Sequence, residues 1–140
     1  PGAVGPVVLW RYDAAVGKWL RWHDGKPHMQ GEPNSDPNTH KQLAFDNIVI
    51  VYAQHSQTGF IEDEAAQLEA VQVQLQGEGE AVLLRDGQGY EIRGRRANAD
   101  SMMQFVDAAG NVIAFKPGTT WFNLVDVKNA FYPAGITFLP

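Results

Sequence analysis

The residues with the most chemistry at close spacing lie in WHDGKPHM, residues 22–29, where His23, Asp24, Lys26 and His28 fall within six positions. Two imidazoles and a carboxylate are the donor types of a zinc site, which needs three or four nitrogen or oxygen ligands converging at about 2 Å. The spacing of this segment matches no standard ligand pattern, and Lys26 would set a positive charge beside any bound cation. Asp24-Gly25 has a simpler use, since glycine accepts positive φ and aspartate caps a tight turn. His23, Asp24, Lys26 and His28 are therefore expected to form a shaped recognition loop closing the first hairpin, with no metal site assigned.

Other reactive types are less organised. Ser35, Ser56 and Ser101 sit in apparent loops without a nucleophile-elbow signature. Glu62, Asp63 and Glu64 could supply paired carboxylates, but read more simply as the acidic first turn of a short helix. The glycines of Gly77-Glu78-Gly79-Glu80 and Gly87-Gln88-Gly89 fit no phosphate-loop spacing and suit strand entries and hairpins. Arg93 and Arg95 share one strand face and could grip a carboxylate or phosphate. Charged residues on the exposed face of an edge strand would look the same. No catalytic residue and no cofactor is assigned. Ligand contact, if any, is expected at His23, Asp24, Lys26, His28, Arg93 and Arg95.

These side chains need strands to position them. Val7–Tyr12 and Lys18–Trp22 read as a hairpin, with Trp10 and Tyr12 on one face. Residues 24–41 read as a loop. The β-branched run 47–53 is short enough to be a strand buried on both faces. Residues 62–70 alone have helical character, and they lead into the strict alternation Val71 to Gln76, which should bury Val71, Val73 and Leu75. Strands over 81–85 and 90–95 meet across Asp86-Gly87. Residues 103–107 pair with 112–115, and strands at 121–127 and 135–139 follow. This is an all-β chain: a single antiparallel β-sandwich or barrel-like domain over residues 1–140, with eight to nine short strands and at most one short helix.

Bulk properties narrow the function. At 140 residues, 44% hydrophobic and 11% aromatic, the chain can bury a core without staples. A net charge of −5 argues against a general nucleic-acid binder, whose affinity rests on neutralising phosphates. The absence of cysteine removes disulfides, thiolate metal sites and thiol nucleophiles. No apolar run reaches the roughly 20 residues of a membrane span. The chain begins Pro1-Gly2, so an upstream signal, anchor or further domain is expected.

The ordered set WRYDAAVGKWLRWHDGKPHM, LAFDNIVIVYAQH, GEGEAVLLRDGQGYEIRGRR and FVDAAGNVIAFKPGTTWFNLVD resembles the C-terminal domain of the YerB-like bacterial lipoprotein family, whose function is unknown. The correspondence runs from about Trp10 to Val127. Leu20 to His28, Asp46 to Val49 with Val51, Gly77 to Gly87 and Pro117 to Trp121 match successive family motifs. Two positions depart from the pattern. An aspartate usual just after the Pro-His pair is absent, leaving Asp36 as the nearest, and Arg95-Arg96 follow Gly94 where a tryptophan is usual. The resemblance implies a secreted or lipid-anchored extracytoplasmic protein and carries over no catalytic residue. The expected role is structural or protein-interacting at the cell envelope, towards an envelope protein, a cell-wall component or a second copy. A wall-glycan or peptide binding module is the alternative, and a metal-assisted hydrolase the remote one.

Overall fold

The structure, a computed structural model, describes residues 7–31 and 40–127. Among these residues there are ten strands and no helix. β1 (Val8–Asp13) and β2 (Lys18–His23) form the first hairpin in the register Val8↔His23 to Asp13↔Lys18. The Asp13 carboxylate accepts the Ala15 N–H, and Gly17, at φ +68°, closes the turn. β3 (Lys26–Pro27) and β4 (Ala44–Phe45) both pair with β2, completing a four-stranded sheet.

The second sheet has the order β10-β5-β7-β8-β9, with β6 also paired to β5. Its members are β5 (Asn47–Asp63), β6 (Leu68–Gln74), β7 (Gly77–Arg85), β8 (Gln88–Arg96), β9 (Gln104–Val106) and β10 (Thr120–Asp126). β7 and β8 meet across Asp86 and Gly87, both at positive φ, as a tight hairpin turn requires. β5 and β10 run in the same direction, since Asn47 N–H donates to Thr119 C=O near one end and Val127 N–H to Ala53 C=O at the other.

The chain divides into two compact units. The first draws on Pro1–Val49, Leu83–Tyr90 and Ala114–Phe122, and its core holds Trp19, Ile48, Val49, Leu83 and Leu84. The second draws on Ile50–Val82, Glu91–Ile113 and Asn123–Pro140, and buries Ile50, Val51, Ala53, Ala81, Ile92, Phe105 and Val106. The unbroken burial of residues 46–51 is that of a strand covered on both faces.

Several expectations change. Residues 62–70 are not helical: β5 runs on to Asp63, a four-residue turn follows, and β6 begins at Leu68. Asp63 Oδ1 accepts the N–H groups of Ala65 and Ala66, which holds the turn where a helix would need continued i to i−4 bonds. Val71 is exposed, and Val73 and Leu75 are only half-buried, because no described element packs over this stretch. The Asp24-Gly25 turn joins β2 to β3 and does not close the first hairpin. β8 is an interior strand rather than an edge. Residues 135–139 and Asp36 lie outside the described residues.

Candidate functional site

The histidine turn in the first unit is held by its own residues. Asp24 Oδ1 accepts the Val7 N–H at 2.8 Å, and Val7 C=O accepts the Asp24 N–H at 2.9 Å, so the carboxylate ties down the start of β1. Its second oxygen lies 3.4 Å from His23 Nδ1. The His23 and His28 rings stand 5.8 Å apart. Lys26 pairs across the ladder with His23 and is exposed. His28 Nδ1 faces Arg21 Nη1, so the ring is turned toward the guanidinium of the neighbouring strand. Among the described residues no group of three histidine and carboxylate side chains converges as metal ligands would. His55 lies in the second unit, its ring Nδ1 2.9 Å from Ala53 C=O.

Arg21 was not singled out from sequence, yet it is the centre of this region. Register places Trp10 opposite Arg21, and Tyr12 and Phe45 opposite Trp19, so the four aromatics and the arginine share one sheet face. Trp121 lies over this face, 5.2 Å from the Phe45 ring and 5.8 Å from Trp10. The guanidinium carbon sits 5.0 Å from the Trp121 ring and 5.8 Å from Trp10, and Arg21 is only 8% exposed. Burial pushes its pKa down from the ordinary arginine value, and the π faces return part of the lost hydration. Its Nε and the Trp10 Nε1 find no acceptor among the described residues.

Trp121 is positioned by a second motif pair. Asp46, 8% exposed, accepts from Lys18 Nζ at 2.8 Å, Thr119 N–H at 2.8 Å and Thr119 Oγ1 at 3.1 Å. The Lys18 and Thr119 bonds lower its pKa from 3.8 to about 2. Asn47 clamps Lys116, donating to its C=O and accepting its N–H. Gly118, at φ +135°, lets this segment close on Asp46, since a Cβ there would stand 2.2 Å from Asp46 Oδ2. Lys116 also reaches Asp86 of the β7–β8 turn at 2.8 Å. Residues 20–28, 46–49, 83–87 and 117–121 of the four motif groups thus share the first unit, where Asp46, Asn47, Asp86, Lys18 and Lys116 form a clasp whose chemistry is packing and ion pairing.

Arg93 and Arg95 belong to the second unit and the histidine turn to the first. Arg93 pairs with Glu78 at 3.3 Å and Arg95 with Gln104 at 3.0 Å. They are exposed and cross-braced to neighbouring strands. The tryptophans are buried or half-buried, so none presents a flat exposed indole.

One group of exposed apolar residues lies in the second unit, on the ribbon made by β6 and the later half of β5. Gln54↔Gln74 to Gln57↔Val71 pair regularly, and the register then shifts before Ile61↔Glu69. Three residues of β5, Thr58, Gly59 and Phe60, thereby oppose Ala70 alone in a bulge. The bulge is well satisfied: Thr58 Oγ1 donates to Ala70 C=O and accepts the Phe60 N–H, while Glu69 accepts the Gly59 N–H. Its result is to hold Phe60 76% exposed. Ile61, Leu68 and Val71 are also exposed. β6 pairs with β5 alone, so its other edge carries no described strand. A signal for this surface was present in the sequence: no Lys or Arg occurs between Lys41 and Arg85, while Glu62, Asp63, Glu64 and Glu69 cluster on the ribbon.

Residues 3–122 match the family described as Protein of unknown function (DUF3048) C-terminal domain. Among solved structures, the chain is similar to the YerB protein from Bacillus subtilis, with 27% sequence identity and a TM-score of 0.66. That match covers 89% of this chain and 38% of the YerB chain. No curated protein matched the chain. A family match running through the histidine turn, the Asp46-Asn47 pair and the Pro117–Trp121 segment, together with the likeness to YerB, establishes that the chain belongs to the YerB-like DUF3048 C-terminal domain family.

Proposed function

We propose that this chain is a non-enzymatic interaction module of the bacterial envelope, working outside the cytoplasm and docking through its β5–β6 ribbon. One observation carries the reading: an ordered bulge holds Phe60 in solvent beside exposed Ile61, Leu68 and Val71, next to a strand edge that no described strand pairs. Exposed apolar groups on a sheet edge without the usual lysine or proline guards are a template for strand addition by a partner. Residues matched to family motifs support the same reading indirectly. Asp46, Asn47 and Asp86 among them form the clasp that fixes the fold, which leaves docking to a surface outside the clasp. The resemblance to lipoproteins supports the extracytoplasmic location.

The test is site-specific photo-crosslinking in the producing cell, with the full gene product carrying the crosslinker at Val71 or, as a control, at exposed Val16 on the β1–β2 turn. Discrete protein adducts are expected at 71 and not at 16. Equal labelling at both positions, or none at either, would sink the docking reading. Protease added to intact spheroplasts tests location separately, and a protein that stays protected refutes the extracytoplasmic part.

A further inference from the structure

The face of the first sheet that carries Arg21 gathers more positive charge than the described acids answer. Register sets His23 opposite Val8 and Lys26, and Arg21 opposite Trp10, so Arg21, His23 and Lys26 project from one side of the sheet. The His28 ring joins them, facing Arg21 Nη1 and lying 5.8 Å from the His23 ring. We infer that this group is a binding site for a small oxyanion, a carboxylate or phosphate group, with Arg21 at its floor and Lys26 and His23 at its mouth.

The charge balance is the first support. Among the described residues no carboxylate comes within ion-pair distance of Arg21 or Lys26. Asp24 is the acid at hand, and it is committed elsewhere. Its Oδ1 accepts the Val7 N–H, and its Oδ2 lies 3.4 Å from His23 Nδ1. Two permanent cations against one carboxylate leave the cluster positive, in a chain whose net charge is −5.

The state of Arg21 is the second. It is 8% exposed, and a guanidinium withdrawn this far from water ordinarily has an acid beside it. The Trp10 and Trp121 faces offset part of the lost hydration but leave Nε without an acceptor. Arg21 Nε and Trp10 Nε1 can only donate, so what both lack is an acceptor. With Nη1 turned to His28, the edge formed by Nε and Nη2 is the one left to grip a carboxylate or phosphate through two parallel bonds.

Other occupants fit less well. A metal ion at the two histidines would meet both cations at close range. A water molecule would satisfy the donors and leave the charge unanswered. A polyanion such as nucleic acid is opposed by the net charge of the whole chain, which acts far less on a small ion.

The site is tested on the purified chain at neutral pH by NMR, following the Arg21 Nε–H and Trp10 indole N–H signals. Sodium phosphate and sodium acetate are titrated separately, each against sodium chloride of equal ionic strength. Saturable shifts of both signals are expected with phosphate or acetate and not with chloride. The tighter of the two tells whether the ligand offers a phosphate or a carboxylate. K26Q changes an exposed side chain, so the fold should be kept while binding weakens at least about threefold. R11Q removes the same charge from the opposite face of the hairpin and should leave binding unchanged. R21K keeps the charge but loses the paired edge, and should weaken binding at least about tenfold; K26Q carries the test if R21K does not fold.

No saturable shift with either anion, or equal shifts with chloride, would overturn the inference and leave Arg21 a purely structural cation. Equal weakening in K26Q and R11Q would reduce the effect to general charge attraction and overturn it as well. None of these outcomes depends on whether the β5–β6 ribbon docks a partner.

Discussion

Asp46 and Gly118 show how much a pair of residues can depend on each other. The carboxylate of Asp46 is charged and fully used, and the glycine is the only residue small enough to let the Pro117–Thr120 segment reach it. Gly118→Ala combines a Cβ clash with a strained φ, so denaturant unfolding should show a loss of about 3 kcal/mol. Gly59→Ala is a useful contrast. Its φ is +79° but nothing lies within 4 Å of a new Cβ, so only backbone strain of about 1–2 kcal/mol is expected.

The pH dependence of Asp46 follows from the same contacts. Its folded pKa of about 2 lies below the ordinary 3.8, so its contribution is present above that ordinary value and is lost as pH falls toward 2. At roughly 1.4 kcal/mol per unit, the contribution is on the order of 2–3 kcal/mol. Urea titrations from pH 6 to pH 2 should show that loss between about pH 4 and pH 2, and Asp46→Asn should flatten it. An unchanged slope in the variant would mean that other carboxylates dominate the acid response.

At the scale of elements, the contrast is between covered and uncovered strand. Residues 47–51 of β5 are buried throughout, while the same strand beyond Gln54 is mostly exposed and pairs there with β6 in a ribbon. A two-stranded hairpin without a covering layer is marginal in water. Amides from Thr58 to Ala70 should therefore exchange faster than those of β7 and β8, as mass spectrometry or NMR can measure. Phe60→Ser should leave the melting temperature unchanged, because a side chain this exposed contributes little to the folded state. If the ribbon exchanges as slowly as β7, the picture of an uncovered arm is wrong.

At the scale of the molecule, net charge sets the repulsion between chains that carry exposed apolar residues. The net charge is −5 and the isoelectric point near 5.2. Near pH 5 the repulsion between chains vanishes, and the unguarded β6 edge should drive association that is absent at pH 7.5. Light scattering across this range reads it, and the double variant F60S/L68S should suppress it. Association of equal extent in that variant would place the sticky surface elsewhere.

The all-β class, the first hairpin, the doubly buried run after Asn47 and the Asp86-Gly87 turn were legible in the sequence, because each is set by local periodicity or by residues suited to positive φ. The family resemblance was legible for a related reason, since its motifs are local strings in a fixed order. The fate of residues 62–70 was not legible. Alanine and glutamate there favour a helix, but pairing between β5 and β6 overrides that propensity, and Asp63 caps a turn instead. The histidine turn drew attention by its residue types, yet its chemistry is decided by Arg21, which looked like an ordinary strand arginine. Only the tertiary structure could place Trp10, His28 and Trp121 around that guanidinium, or close Gly118 on Asp46, because these partners are brought together by sheet register and not by sequence spacing. Sequence by itself determined the all-β class, most of the strand segments and how the chain is charged. Tertiary structure decided which strand was left uncovered, because exposure depends on what packs over a residue and not on the residue itself.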